Sequence, residues 1–578
     1  MTVFKGGIHT LREYAVIADG ERAVLVDPDG GCAWMCFPSW DSPALFSALA
    51  GGAGGYWVRP EDEWRVWGGY YERRSLIWRS RWVTGDGVVE CREALSRPAD
   101  SDRAILLRRV EVIRGSVRIR VALDIRADFG RHTMTSLRRS GELWTGRSGE
   151  VRIRWAGATR AEPVEGGLTM CLNLGAGQTH DLVLELSVED RTDPLAAGAL
   201  WAATEHGWRA SVPACDDTLA PRDAQLAYAV LTGLTSRTGG MVAAVTTSLP
   251  ERSGGHRNYD YRYAWIRDQC YAGQAVAAHG GRFELLDASV AFVAERLLAA
   301  REHLKPAYTV TGHPVPSEEP APLPGYPGGN MIVGNRVTGQ FQLDVFGEAL
   351  LLFAAAQRAD RLPSEAVHAA RIAVAAIAKR WREPEAGIWE IGNRQWTHSR
   401  LTCVAGLRAV SALAADSTET AGWLSLAETI LTATTRSSLN AEGRWRRAPD
   451  DDRVDASLLL PPLRGALPAD DPRTAATLAA VRDTLVQEGF VYRYRIDERP
   501  LGQAEGAFTL CGFLLALAEH QQGNDARALG CFERIRSGCG TTGLFTEEYD
   551  VGQRQLRANL PQAFAHAMLL ESATRLAR

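Results

Sequence analysis

Residues 344–381 read DVFGEALLLFAAAQRADRLPSEAVHAARIAVAAIAKRW. Apolar residues recur at three- and four-residue spacing through Asp344–Ala359, break, and resume through Ser364–Trp381. That is the pattern of two amphipathic helices joined by a short turn. The same periodicity predicts helices at Asp223–Ser236, Phe283–Arg301, His398–Ala415, Thr420–Arg436, Arg473–Glu488, Gly506–Gln521, Ala526–Arg536 and Pro561–Ala577. One more follows Trp265 and another lies near Ala456, about twelve in all. Many are rich in alanine, which lets helices approach closely. No 34- or 40-residue repeat runs through them, so a solenoid is disfavoured. A closed ring of helix hairpins, an (α/α)6 barrel, accommodates twelve helices; an irregular bundle also satisfies the pattern.

Before residue 200 the chain has a different character. Short apolar runs at Arg22–Asp27, Leu106–Ile113, Val117–Leu123, Val151–Trp155 and Leu182–Val188 are separated by turn sequences such as Asp27-Pro-Asp-Gly-Gly31. Val117–Val121 and Val151–Trp155 alternate strictly, which marks half-buried strands. Strands of this spacing predict a β-sandwich. The fold class expected is therefore multi-domain: an N-terminal β-sandwich over 1–200, a linker over 201–222 and an all-α (α/α)6 barrel over 223–578. The arginines interleaved in the strands could form a basic patch for nucleic acid. A solvated sheet face with arginine stems lying across it is the simpler reading.

The composition excludes several classes. With 578 residues, 46% hydrophobic and 23% charged, the chain is neither disordered nor fibrous. A net charge of -4 gives no long-range attraction to nucleic acid or anionic membranes. No apolar run reaches the roughly 20 residues needed to span a bilayer. The N-terminal stretch lacks the continuous apolar region of an export signal, so a cytoplasmic location is expected. The ten cysteines contain no CxxC pair and predict free thiols in a reducing compartment. Seventeen tryptophans are the one unusual count.

Four segments concentrate aromatic and charged residues beyond what core packing requires. The first is RNYDYRYAWIRD, residues 257–268. Aromatic faces interleaved with bidentate Arg and Asp groups suit a sugar ring, whose C–H patches stack and whose hydroxyls are hydrogen-bonded. A buried ion-pair network at a domain seam is the competing reading. The second, GIWEIGNRQWTHS over 387–399, places Glu390 beside Trp389 in a loop before a helix. Apolar contact there would raise the carboxyl pKa, as a general acid requires. His398 has no second ligand at i±4, so it reads as a helix residue rather than a metal ligand. The third is YRYRIDERPLGQAEGAF over 492–508 and the fourth GLFTEEYD over 543–550. Adjacent Glu547 and Glu548 would repel if both were buried unpaired, so one should face a cavity while the other meets a cation. Two separated carboxylates in aromatic loops are the minimum needed for glycoside hydrolysis.

At these segments the sequence resembles glycoside hydrolase family 15, the family of glucoamylases, bacterial trehalases and related α-glucosidases. The resemblance spans nearly the whole chain. Residues 12–52, REYAVIADGERAVLVDPDGGCAWMCFPSWDSPALFSALAGG, are similar to the opening of the bacterial members' β-sandwich. RNYDYRYAWIRD, GNRVTGQFQLDVFGEAL, GIWE with HSR, EGAF, and GLFTEEYD with NLPQAFAH follow in the family's order. The resemblance implies that Arg267 and Asp268 hold hydroxyls of the terminal glucose, with Tyr261 and Trp265 lining the same subsite. It implies Glu390 as general acid, Glu547 as general base, Arg493 as a substrate-binding arginine and Trp389 as a sugar contact. It implies inversion, with the two carboxyls roughly 6.5–9.5 Å apart, and no metal or organic cofactor. Arg400 stands where the family commonly has Lys, Val404 where it has Trp, and Ile332 where it has Arg, all on the aglycone side.

The function expected is an inverting exo-acting α-glucosidase of the glucoamylase type, acting on maltose, isomaltose or maltooligosaccharides. α,α-Trehalase is the alternative. The partner expected is a small oligosaccharide, with neither nucleic acid nor membrane; a homo-oligomer is compatible with the sequence. A phosphorylase would replace the base by phosphate, and retention of Glu547 argues against it. A non-catalytic sugar-binding protein is the remaining reading.

Overall fold

The computed structural model describes residues 7–252, 257–413, 416–497 and 499–578. An N-terminal strand-rich part is followed by a helical part that runs to the C-terminal segment. Strands Ala15–Ala18, Ala23–Val26, Cys32–Cys36 and Ala44–Phe46 form a small antiparallel sheet in sequence order. An eleven-stranded sheet holds the strands from Gly55–Pro60 to Thr179–Ser187.

The large sheet is organised by one strand of 22 residues, Arg103–Asp124. The sequence predicts two runs here, and the structure fuses them into a strand that changes partners midway. Its first half lies between Gly87–Leu95 and Thr179–Ser187, its second between Gly55–Pro60 and Gly167–Gly175. Gly115 sits at the change with φ 76, where any side chain would strike the Asp86 carbonyl oxygen. Trp34, Trp78, Trp82 and Trp155 are fully buried in this half of the chain, which accounts for part of the tryptophan excess. The arginine stripes are ion-paired. Arg118 and Arg120 meet Glu61, Arg152 meets Asp190, and buried Arg154 meets Glu185.

The helices are α1 Ala197–Ser211, α2 Pro221–Leu234, α3 Ile266–His279, α4 Glu284–Ala300, α5 Asp344–Arg358, α6 Ser364–Arg380, α7 Thr397–Val410, α8 Ser417–Ser438, α9 Leu460–Leu463, α10 Pro472–Leu485, α11 Thr509–Gln521, α12 Asp525–Arg536 and α13 Ala563–Arg575. Eleven of the predicted segments recur within a few residues, among them the one after Trp265 as α3; the predicted end at Ala415 lies outside the described residues. Near Ala456 the chain makes only a 3-10 turn and the four-residue α9, since Pro461 and Pro462 deny further backbone donors. α3 packs on α5, α5 on α7, α7 on α9, α9 on α11, α11 on α13, and α13 on α3, so the contacts close a circuit. α2, α8 and α12 each pack against one of its members, and α4 and α6 each against two. Glycine makes the tightest step possible. Added Cβ atoms at Gly347 in α5 or Gly406 in α7 would come within 2.7 and 2.6 Å of the facing backbone.

The two parts share one continuous apolar core that includes Trp34, Trp40 and Leu49 from the strand-rich part and residues of α2, α3 and α13 from the helices. Across the seam runs a polar tie. Arg262, fully buried, forms a bidentate pair with Asp260 and donates to the carbonyl of Ser42 and to the Cys36 sulfur. Asp260 in turn accepts the Gly334 amide, while Asn335 donates to its backbone carbonyl, fixing the end of the long loop after α4.

Removing one member of a fully buried ion pair strands the other charge, at a cost of about 3–5 kcal/mol. Arg262→Met is therefore expected to lower the melting temperature sharply, and Arg262→Met with Asp260→Asn to recover much of the loss. A double variant no more stable than the single one, in thermal melts, would show that the pair is not what couples the halves.

Candidate active site

A cavity of about 510 Å³ opens at the N-terminal ends of α3, α7, α11 and α13. It lies within the roughly 300–1,000 Å³ range of small-molecule sites. All eight side chains singled out in the sequence line it: Tyr261, Trp265, Arg267, Asp268, Trp389, Glu390, Arg493 and Glu547. The first aromatic segment serves both readings offered for it. Asp260 and Arg262 face the domain seam; Tyr259, Tyr261, Trp265, Arg267 and Asp268 face the cavity.

One wall is built around a carboxylate-rich cluster. Glu547 reaches the cavity and both its oxygens accept the Tyr261 hydroxyl, each at 3.1 Å. Glu548 turns the other way, accepting the Gly506 amide at 2.8 Å and meeting Arg493 at 3.2 Å. One glutamate thus faces the cavity while its neighbour meets a cation. Arg493 is buried between Glu505, at 2.5 Å, and Glu548, with its guanidinium over the Phe508 ring. Its strongest bonds therefore run to protein carboxylates. Glu251, a cavity residue without any signal in the sequence, pairs with Arg257 at 2.9 Å and lies 3.8 Å from Arg493. Burial and the neighbouring Glu251 push Glu547 up to about 8.

Glu390 projects from the loop between α6 and α7. Its backbone has φ 55, a left-handed conformation costly for a residue with a side chain and common at functional sites. The loop is held below by Glu385, fully buried, which accepts the amides of Gly387 and Leu343 at 2.7 and 3.2 Å. The sequence set Glu390 against the Trp389 ring. In the structure its carboxyl oxygens accept Gln342 Nε2 at 3.1 Å and Gln340 Nε2 at 3.2 Å. Trp389 lies edge-on to Phe508 and sends its indole N–H to Asp455 at 2.9 Å. Arg267 also binds inward: its guanidinium donates to Gln342 Oε1, Asp344 Oδ2 and the Ile388 carbonyl.

The floor carries polar atoms that find no hydrogen-bond partner among the described residues. These are Asp268 Oδ1, Tyr271 Oη and Gln562 Oε1, all on buried side chains that line the cavity. Burying such atoms unpaired costs about 1–3 kcal/mol each, and a polyhydroxylated ring offers them donors and acceptors. Beside them Tyr261 and Trp265 meet edge-to-face at 5.4 Å, supplying the apolar surface. Burial pushes Asp268 up to about 7. Tyr271 lies about one helical turn beyond Arg267 and Asp268, a spacing that could have flagged it; Gln562 lies in the NLPQAFAH motif.

Other residues fall nearby. His398 is buried below Trp389, and that burial pushes it down to about 4. Arg400 is buried in α7 and donates to the Trp396 carbonyl. The long loop after α4 reaches the strand-rich part, where the Tyr326 hydroxyl donates to the His9 carbonyl. Among the described residues no group of three or more His, Cys, Asp or Glu could hold a metal ion, and no helix is long and apolar enough to cross a membrane.

Comparison with known proteins supplies the chemistry's context. Residues 231–574 match the model for glycosyl hydrolases family 15, and residues 6–166 match a trehalase-like N-terminal model. The chain is 31% identical to a trehalase of Mycolicibacterium smegmatis, covering 98% of this chain and 91% of that protein. It is 27% identical to trehalase 1 of Sulfolobus acidocaldarius, covering 97% and 98%. Its fold is similar to that of a bacterial glucoamylase complexed with acarbose, with a TM-score of 0.71 at 13% identity over 100% of this chain and 95% of the other.

The raised carboxyls give a signed pH dependence. Glu547 and Glu385, near 8, and Asp268 and Glu348, near 7, hold protons in the folded chain that they release when unfolded. The folded state binds more protons than the unfolded state up to those values, so stability falls as pH rises toward about 8. His398 and His566, pushed down to about 4 by burial, act in the opposite sense only below their ordinary range. Melting temperature is expected to fall between about pH 6.5 and 8 and then level off. Glu547→Gln should flatten that slope. A melting temperature that rises through the same window would contradict the assignment.

Proposed function

The chain belongs to the glycosyl hydrolases of family 15, and from that premise we propose that it is an inverting exo-acting α-glucosidase whose preferred substrate is α,α-trehalose. The sequence alone puts maltose, isomaltose and maltooligosaccharides first and trehalose second. Likeness to trehalases along nearly the full length of both chains reverses that order. The observation that carries the reading is the meeting, in one disaccharide-sized cavity, of two carboxyls in unlike settings, Glu390 among amides and Glu547 among carboxylates and tyrosine.

In this reading the terminal glucose enters against Tyr261 and Trp265, and its hydroxyls satisfy Asp268, Tyr271 and Gln562. Glu390 gives its proton to the glycosidic oxygen as the C1–O bond breaks. Glu547 takes a proton from the water whose oxygen bonds to C1 on the opposite face. Positive charge developing at the ring favours the ionised form of Glu547 against the burial that raises it. Arg267 and Arg493 act mainly by holding other site residues in place. Trp389 and the residues beyond it form the aglycone side, and the chemistry needs no metal or organic cofactor. We read the closed helix circuit as the inner ring of an (α/α)6 barrel over 223–578, with a β-sandwich over 1–200 and 201–222 as the connector. The ten free cysteines support a reducing compartment, the cytoplasm.

Purified protein is expected to hydrolyse trehalose faster than maltose, isomaltose or kojibiose. Proton NMR during early turnover of trehalose should show α- and β-glucose in equal amounts, one from each half. Early α-glucose alone would rule out inversion, and turnover of maltose without trehalose would restore the glucoamylase-type reading. Glu390→Gln and Glu547→Gln should each lower kcat about 10²- to 10⁴-fold; full activity in either would remove that residue from the mechanism.

A further inference from the structure

The motif GNRVTGQFQLDVFGEAL contributes no residue to the proton transfers described above, yet two of its side chains hold the general acid. Gln342 Nε2 donates to Glu390 Oε1 at 3.1 Å and to Gln340 Oε1 at 3.0 Å, and Gln340 Nε2 donates to Glu390 Oε2 at 3.2 Å. The three side chains close a ring. An amide can flip, and a flipped Gln342 would present its oxygen to the carboxylate. Arg267 prevents this by donating to Gln342 Oε1 at 2.8 Å, and Asp344 holds Arg267 at 2.9 Å. Asp344, Arg267 and Gln342 are buried while Gln340 and Glu390 are half-buried, so the order Asp344, Arg267, Gln342 behind Glu390 is fixed by packing as well as by charge.

We propose that Gln342 and Gln340 are positioning residues that clamp Glu390 through two amide donors, indexed by Arg267 and Asp344, and so stabilise the carboxylate formed when the proton leaves. This rests on Glu390 being the general acid. Each carboxyl oxygen has two lone pairs, so the acid can carry its proton and still accept an amide. When the O–H bond breaks and the proton passes to the glycosidic oxygen, both amides face a full negative charge and their bonds strengthen. The clamp therefore acts more in the transition state than in the ground state, which is what accelerates a step. Arg267 thus acts on Glu390 through Gln342.

Other charged or titratable groups also face this carboxyl: Arg267 and Asp268 from α3, Glu251 and Tyr261 from the segment before it, and Arg394 from its own loop. All of these groups remain in a Gln342→Met variant, which keeps the volume and removes the donor; Arg267 loses one acceptor there but keeps Asp344 and the Ile388 carbonyl. Without the amide the carboxylate loses stabilisation, so the alkaline limb of the kcat profile moves up by about one pH unit.

The test compares trehalose, whose leaving group needs a proton, with α-glucosyl fluoride, whose fluoride leaves with little help. Gln342→Met should lower kcat on trehalose about tenfold or more, leave fluoride turnover within about threefold, and move the alkaline limb upward. Gln340→Met should do the same more weakly, and Gln342→Asn should restore part of the loss. Melting temperatures of each variant separate these effects from misfolding. Equal losses on both substrates with an unmoved limb, alongside a Glu390→Gln enzyme that has lost trehalose but kept fluoride, would overturn the clamp alone. A Glu390→Gln enzyme with unimpaired trehalose turnover would overturn the acid assignment and the clamp together.

Discussion

The buried pair of Arg262 and Asp260 is the constraint on which the rest of the site depends. A guanidinium fully removed from water is tolerated only when its donors are met, and here they are met from both halves of the chain. The pair sits in the middle of RNYDYRYAWIRD, so the alternation of an extended segment sends its neighbours Tyr259, Tyr261 and Tyr263 away from it. Tyr259 and Tyr261 stack at 6.3 Å and enter the cavity, and Tyr261 reaches Glu547. Asp260 also fixes Gly334, at the start of the motif that ends in Gln340 and Gln342. One buried ion pair therefore registers the strand-rich part, the tyrosine segment and the loop whose glutamines meet Glu390. The strand-rich part thereby acts as a template for the mouth of the helical one.

Much of this was legible from periodicity. The hairpin of α5 and α6 is readable because its apolar spacing is strong and its turn is short. The fusion of Leu106–Ile113 and Val117–Leu123 into one strand was not readable, because Gly115 looks like a turn and a change of partner leaves no local trace. Near Ala456 the sequence suggests a helix that the prolines cut to one turn. In the site, charged and aromatic residues crowded into loops were visible because core packing does not demand them. Glu251 was invisible, being a lone glutamate in an ordinary stretch. Gln340 and Gln342 lie within a motif, but a glutamine states its role only through the partner it meets, and Glu390 lies 48 or more residues further along the chain.

The inward commitments of Arg267 and Arg493 qualify what motif position alone implies. Both line the cavity, and both spend their shortest hydrogen bonds on protein groups. Arginine suits this use because its planar fork holds two partners in fixed geometry while one edge stays near the cavity. Such residues would appear essential in any mutational survey. Their effect would come through Gln342 and Glu390 in one case and through Glu548, beside Glu547, in the other.

The two walls of the cavity differ in how they set proton affinity. Around Glu547, burial first and the Glu251 carboxylate second raise proton affinity against the opposing pull of Arg493, which is itself paired to Glu505 and Glu548. Around Glu390 neutral amides donate, and the Arg267 guanidinium is directed to Gln342. Cationic charge developing between these walls would be attracted to the first and would draw its proton affinity down, while the amides of the second would stabilise a negative charge on Glu390, as the proposed acid role requires. Unlike environments within one cavity are what let two identical side chains take different roles. The asymmetry is built from residues scattered between positions 251 and 548, and it exists only because the helix circuit brings their N-terminal ends to one mouth.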